Sequence, residues 1–272
     1  MKNLFSVKDN IAIVTGGLGQ LGRQYSLALL KNGAKVAIFN RKIPEKKLLS
    51  KKFPIKNKNL YFIQADVTNK KSLERGLKKV ENEWGIPDIL INNAGIDSQP
   101  NAPAEENGPF ENYPEEIWDK VLEVNLKGIF LCCQVIGGTM AKKGKGSIIN
   151  ICSLYGLVSP KQSIYEYRSI RDGKPFIKPV AYSASKSGIL NLTRYLATYW
   201  GKKGVRVNTL SPSGVYRSSQ DKEFIENYCK LVPMGRMARE DEYNGAILFL
   251  ASEASSYMTG SNLIIDGGFT SW

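Results

Sequence analysis

Asn10–Thr15 (NIAIVT) runs straight into Gly16–Gly22 (GGLGQLG), and the fold turns on how this stretch is read. The first six residues are mostly apolar and β-branched, the composition of a buried strand. Glycines at 16, 17, 19 and 22 permit a tight turn, and a helix-period segment follows over about 19–32. Such a turn lets a pyrophosphate approach the backbone at a helix N-terminus, where free amides and the helix dipole favour an anion. As a bare cluster the glycines would mark only a turn. Their place at the first strand–helix junction of an alternating chain gives the ligand reading its weight.

Outward from this unit the alternation continues. Lys35–Phe39, Leu60–Ala65, Asp88–Asn92, Ser147–Cys152, Val205–Leu210 and Asn262–Ile265 read as further strands, with helices near 69–84, 114–142, 181–202 and 239–251. Strands alternating with helices predict a parallel sheet covered on both faces, and the nearly continuous apolar runs agree. No repeat or low-complexity linker divides the chain, so residues 1–272 are expected to form one α/β domain. The segments 96–113, 159–179 and 213–235 resist the alternation and are expected to be loops on the substrate side.

The 272 residues include no histidine, which excludes a Ser-His-Asp triad and His-based metal sites. Acid–base work then falls to Tyr, Lys, Cys, Asp or Glu. No metal site is expected. Cys132, Cys133, Cys152 and Cys229 form no C-x-x-C pair and read as reduced, mostly buried thiols. No apolar run approaches the roughly 18 residues of a membrane span, and Met1–Asp9 lacks the apolar core of a secretory leader. A cytoplasmic protein that engages neither membrane nor nucleic acid is expected. The net charge is +13, but ten basic residues against Glu45 alone between Lys31 and Leu60 supply +9 of it. That is one local, solvated segment with no nucleic-acid-binding motif beside it.

That segment contains the end of the second strand, where an acid would hold a ribose 2′-hydroxyl and a basic residue would accommodate a 2′-phosphate. Here stand Asn40, Arg41 and Lys42. With no carboxylate to repel a phosphate, the reading favours NADP over NAD, with Arg41 as the residue for the 2′-phosphate. Further on, Tyr182 and Lys186 lie four apart at the start of an apolar helix and share a face. A nearby ammonium favours tyrosinate, so Lys186 is expected to lower the Tyr182 pKa from about 10.

The order of motifs resembles the short-chain dehydrogenase/reductase family over almost the whole chain. Thr15–Gly22 resembles its cofactor turn, with Gly16, Gly19, Gln20, Leu21 and Gly22 as contacts. Asp66-Val67 resembles the adenine-contacting pair, and Asn92-Asn93-Ala94-Gly95 the motif that supports the sheet and lines the cofactor site. Asn125, Ser153, Tyr182 and Lys186 match the family's catalytic tetrad, Ser211-Pro212 resembles the turn beside the nicotinamide, and Asp266-Gly267-Gly268 the C-terminal signature. The resemblance implies a Rossmann-type, doubly wound sheet of order 3-2-1-4-5-6-7 and a homodimer or homotetramer. It implies that Tyr182 exchanges a proton with the substrate oxygen, Ser153 hydrogen-bonds that oxygen, Lys186 holds the nicotinamide ribose, and Asn125 holds a water.

Three departures stand out. Gln20 replaces a glycine, Ser213 replaces the glycine expected after Pro212, and Ser153 and Tyr182 are 29 residues apart, wider than is usual. The extra length, 159–179, carries Lys161, Tyr165, Tyr167, Arg168, Arg171, Lys174 and Lys178. It reads either as a solvated insertion or as a site where Arg binds phosphate and Tyr stacks on a sugar or base. Residues 178–242 resemble a subgroup labelled flagellin modification protein A or polysaccharide-biosynthesis oxidoreductases. This implies an anionic small-molecule substrate: a sugar, sugar phosphate or nucleotide sugar in surface-glycan synthesis. The rival readings are a nucleotide-sugar epimerase or dehydratase and a non-catalytic NAD(P)-binding regulator.

Overall fold

Seven strands build one parallel sheet in the computed structural model, which describes residues 3–97 and 104–272. They are β1 (Ile11–Thr15), β2 (Lys35–Asn40), β3 (Leu60–Gln64), β4 (Ile89–Asn92), β5 (Gly146–Ile151), β6 (Val205–Pro212) and β7 (Asn262–Ile265), in the order β3-β2-β1-β4-β5-β6-β7. Every pairing is parallel, Ile11 opposite Lys35 and Ala12 opposite Ile89 setting the register on the two sides of β1. The expected doubly wound order is therefore present. The helices are α1 (Gln20–Lys31), α2 (Lys46–Leu49), α3 (Lys70–Glu83), α4 (Glu115–Lys143), α5 (Glu166–Asp172), α6 (Val180–Trp200), α7 (Lys222–Cys229) and α8 (Asn244–Ala251).

The pleat divides the apolar runs between two cores. Ile11, Ile13, Ala37, Phe39, Leu90, Ile148 and Val207 face α3, α4 and α6, where Leu73, Leu77, Ile129, Ile136, Met140 and Ile189 meet them. Ala12, Val14, Val36, Ile38, Ile89, Ile91, Ile149 and Leu210 face α1 and α8, against Leu29, Tyr25, Ile247 and Leu250. Alternate residues feed opposite faces, so a strand covered on both sides is mostly apolar along its length.

Helix α4 departs from the expectation of no span-like stretch. It runs 29 residues and is long and apolar enough to cross a membrane by length and composition. Cys132, Cys133, Val135, Ile136 and Met140 bury its apolar side against the sheet, which accounts for that composition without a bilayer.

The 159–179 insertion is not a plain loop. It holds a 3₁₀ turn, Gln162–Tyr165, and then α5. Ile164 and Tyr165 pack with Leu154, Tyr155, Tyr228, Val232, Met237 and Phe269 in a third core, and Tyr167 is buried beside it with its hydroxyl on Asp221. Tyr165 stacks on Phe224 at 5.6 Å between centroids. Flanking Pro and Gly made the segment read as a loop, but aromatic burial holds α5 in place. The 213–235 segment likewise contains α7, capped at its C-terminal side by Lys230. Of the 96–113 segment, residues 98–103, with Pro100 and Pro103, lie outside the described residues; Ala104–Asn107 and Phe110–Asn112 are 3₁₀ turns.

Candidate active site

The strand order reverses between β1 and β4, and the predicted site residues gather at the C-terminal ends of the strands around this switch point, where open α/β sheets bind ligands. The glycine turn is a backbone cradle. Gly16 has φ +61°, and a Cβ there would meet Ala94 Cα at 2.8 Å. A Cβ on Gly22 would lie 2.5 Å from both Asn93 Nδ2 and the Gly16 carbonyl. Asn93 braces the turn, donating from Nδ2 to the carbonyls of Thr15 and Gly16 at 3.1 Å each. The Thr15 hydroxyl accepts from the amides of Asn93 and Ala94 at 3.0 and 3.1 Å. Gly19 caps α1 with no side-chain hydrogen bond, and no acid stands in the first turn. The positive end of the helix thus carries neither a side-chain cap nor a carboxylate, as an incoming phosphate requires.

Gln20 does not break this turn. Its Nε2 donates to the Tyr216 carbonyl at 3.2 Å and its Oε1 accepts from the Arg217 guanidinium, tying α1 to the segment after β6. Sequence reasoning missed Tyr216 and Arg217, which lie almost two hundred residues away in the chain. Asn40 Oδ1 accepts weakly from the Leu18 amide at 3.5 Å, joining the end of β2 to the turn. Arg41 and Lys42 beside it are exposed, as are Lys46, Lys47, Lys51, Lys52, Lys56 and Lys58, while Leu49 and Phe53 anchor that segment from below. Asp66 uses Oδ1 to accept from the Thr68 amide and hydroxyl at 2.9 and 2.8 Å. Val67 is buried and packs beside Gly128. Pro212 ends β6, buried, paired in register with Ile265. The Ser213 amide donates to the Tyr243 hydroxyl at 3.2 Å.

Asn125 sits in a π turn, Glu123–Lys127, within α4. The widened turn aims its side chain at the strand ends. Oδ1 accepts from the Ile96 amide at 2.7 Å, and Nδ2 donates to the Ile96 carbonyl at 2.9 Å and to Ser185 Oγ at 3.1 Å. Gly95 is close to both Asn125 and Lys186: a Cβ on it would be 3.3 Å from Asn125 Oδ1 and 3.6 Å from Lys186 Nζ. Behind them a buried relay crosses the sheet, unseen in the sequence: Asn92 donates to Asn150, Asn150 to Thr193, and Thr209 to Thr193, at 2.8, 2.9 and 2.8 Å.

Tyr182 and Lys186 lie one turn apart on α6, and Lys186 Nζ is 5.7 Å from the Tyr182 ring centroid. Lys186 is 4% exposed and donates to the Ile151 carbonyl at 2.8 Å. Burial lowers its pKa, against smaller upward pulls from Cys152 and Asp97. Ser153, 8% exposed, accepts from the Tyr155 amide at 3.2 Å and hydrogen-bonds Tyr182. The expectation that Lys186 lowers the Tyr182 pKa is reversed. Burial pushes the hydroxyl well above its ordinary value, the Asp97 carboxylate pushes it further, and only the Ser153 hydrogen bond pulls it back. The reason is desolvation, which disfavours tyrosinate and the neighbouring ammonium alike.

The insertion's charges are largely engaged within the protein. Arg171 pairs with Asp172 at 2.7 Å and Asp221 at 3.4 Å. Arg168 lies over Phe176 at 3.9 Å. Tyr167 donates to Asp221 at 2.8 Å, and Tyr165 is buried. The stacking role expected for these two tyrosines is therefore not theirs, because the third core takes Tyr165 and burial against Asp221 takes Tyr167. Lys178 is the exception. It reaches the site, pairing with Asp97 and lying 5.3 Å over the Tyr182 ring. Sequence reading had placed neither Lys178 nor Asp97 at the reacting centre.

A glycine cradle at an uncapped helix, on a doubly wound sheet beside a half-buried Tyr and a buried Lys one turn apart, defines a dinucleotide-binding oxidoreductase. The family model described as enoyl-(acyl carrier protein) reductase matches residues 19–270. The NAD-dependent glycerol dehydrogenase of Listeria innocua is 33% identical over 270 residues, covering 98% of this chain and 96% of that one. A short-chain dehydrogenase of Leptospira borgpetersenii with bound NAD+ superimposes with a TM-score of 0.85 at 36% identity, over 99% and 96% of the two chains. A gluconate 5-dehydrogenase of Burkholderia cenocepacia, in complex with NADP and tartrate, does so with a TM-score of 0.85 at 27% identity, over 99% and 98%. The chain belongs to the short-chain dehydrogenase/reductase family, whose enzymes depend on NAD(P).

Proposed function

We propose that the protein catalyses reversible hydride transfer between NAD(P) and a secondary alcohol or ketone of a sugar, polyol or sugar acid. The observation that carries this reading is the half-buried Tyr182, its hydroxyl beside Ser153 and its ring beside the buried Lys186, at the strand ends next to the glycine cradle. The cradle, the uncapped start of α1 and the buried Lys186 ammonium fit a dinucleotide's pyrophosphate and ribose. When bound, the dinucleotide supplies or accepts the hydride.

Tyr182 donates a proton to the substrate oxygen in reduction and accepts it in oxidation. Ser153 hydrogen-bonds the same oxygen and stabilises its developing charge. Lys186 holds the ribose with the donors that Ile151 leaves over. Asn125 fixes the main chain at Ile96 and through it the floor of the site. Polyol and sugar-acid substrates are suggested by the glycerol and gluconate dehydrogenases among the relatives. A nucleotide sugar remains the second reading, supported by the resemblance of residues 178–242 to glycan-biosynthesis enzymes.

Arg41, exposed at the end of β2 with no carboxylate beside it, supports NADP over NAD. Titrating the protein with NADPH and NADH, then assaying pentitols, hexitols, gluconate and a nucleotide sugar, tests both parts. Wild type is expected to bind NADPH more tightly. Arg41→Ala should weaken NADPH by about 10- to 100-fold, the worth of a charge-assisted hydrogen bond, and leave NADH within about threefold. Equal loss of both cofactors, or turnover of none of the substrates, would count against the proposal.

A further inference from the structure

We infer that Asp97 and Lys178 form a recognition pair for a hydroxyl beside the reacting carbon, Asp97 accepting from that hydroxyl and Lys178 holding Asp97 in place. This rests on the hydride-transfer reading and names what the site selects among alcohols.

The pair is built from two elements far apart in sequence. Asp97 follows Ile96, whose amide and carbonyl are both held by the Asn125 side chain. Lys178 ends the insertion, two residues before α6. Gln162 holds its main chain in both directions, accepting from the Lys178 amide at 2.8 Å and donating to its carbonyl at 3.3 Å. The neighbouring Ile177 amide donates to the Asn107 carbonyl at 2.6 Å. Both backbones are thus anchored, and the ion pair joins two preset positions rather than two free side chains.

Exposure separates the two roles. The Lys178 side chain is 9% exposed and lies over the Tyr182 ring, whereas that of Asp97 is 39% exposed. One flank of the carboxylate is therefore fixed by a buried ammonium, and the group stays partly exposed, close enough to Tyr182 for its charge to act on that hydroxyl. A carboxylate offers only acceptors, so it rewards a donor. A polyol or sugar supplies hydroxyl donors on carbons next to the one oxidised, and a simple secondary alcohol has none there. Arg168, Arg171, Asp172, Tyr165 and Phe176 of the insertion are engaged in packing or ion pairs, and Lys178 is the cation it delivers to the site.

The same charge also bears on the proton step. The charged and titratable groups facing Tyr182 are Asp97 from the β4 end, Cys152 and Tyr155 after β5, Lys178 from the insertion and Lys186 on α6. Asp97 raises the Tyr182 pKa, so its loss shifts the alkaline rise of alcohol oxidation to lower pH.

The test compares xylitol with butan-2-ol in wild type, Asp97→Asn, Asp97→Glu and Lys178→Met, measuring kcat and KM for each alcohol across pH. Asp97→Asn is expected to reduce the xylitol-over-butan-2-ol ratio of kcat/KM by about 10- to 100-fold, mainly through the xylitol KM. Its pH rise should move down, and Asp97→Glu should recover part of the ratio. Lys178→Met should lower the ratio in the same direction. An unchanged ratio with an unmoved pH profile, in variants that melt like wild type, overturns the inference and leaves the hydride-transfer reading intact. Wild-type oxidation of neither alcohol nor of any substrate in the wider panel overturns both.

Discussion

Replacing Tyr182 with Phe is expected to lower turnover by about three to four orders of magnitude, the upper range for a positioned acid–base group. The substitution removes one oxygen and keeps the ring between Lys178 and Lys186. Ser153 retains its hydrogen bond from the Tyr155 amide, so its oxygen stays partnered and in place. Binding of NADH, followed by fluorescence titration, should stay within about threefold, because a single neutral contact is worth about 1 kcal/mol or less. In wild type the raised Tyr182 pKa keeps the hydroxyl protonated through neutral pH. Ketone reduction should therefore be flat across that range, and alcohol oxidation should rise into the alkaline range. Residual turnover in the Phe variant should lose that rise. Full activity in Tyr182→Phe, or an unaltered alkaline rise, would remove Tyr182 from the mechanism.

What the sequence shows and what it hides divide along a physical line. Strands such as Ile11–Thr15 and Val205–Pro212 are legible because covering both faces of a sheet demands an unbroken apolar run. The cradle is legible because Gly16 and Gly22 stand where a Cβ would collide with the Asn93–Ala94 backbone and side chain. Properties that depend on distant partners are not legible. The Asn92–Asn150–Thr193–Thr209 relay joins four separate elements, and nothing local marks Asn150 or Thr193. Asp97 and Lys178 are 81 residues apart and meet only because Asn125 and Gln162 fix their backbones. Helix α5 is seven residues long, too short to persist by propensity, and exists because Tyr165 and Tyr167 are buried. The direction of the Tyr182 shift was misjudged for a related reason. The i, i+4 spacing reveals the neighbour, whereas the desolvation that outweighs it belongs to the assembled core.

Lys186→Met should separate catalysis from stability most sharply. Lys186 is 4% exposed, with a hydrogen bond to the Ile151 carbonyl, and burial lowers its pKa. A buried ammonium costs folding free energy that an apolar side chain of similar length does not. The cofactor-free Met variant is therefore expected to melt higher than wild type, each kcal/mol relieved raising Tm by about 2–4 °C in a chain of this size. The pH dependence follows from linkage. The unfolded chain holds the Lys186 proton more tightly than the folded one, so wild-type stability rises with pH between the lowered folded value and the ordinary 10.5. The Met variant lacks this contribution, so its Tm advantage should be greatest at neutral pH and shrink as pH approaches that of free lysine. Turnover should move the other way, falling by at least about a thousandfold as the ribose contact and the positive charge beside Tyr182 are lost together. NADPH affinity should weaken by about 10- to 100-fold. Scanning calorimetry without cofactor, titration with NADPH and steady-state kinetics read the three effects independently. A variant that melts lower than wild type while keeping its affinity for NADPH would make Lys186 a structural residue, and the ribose-holding role would have to pass to another donor.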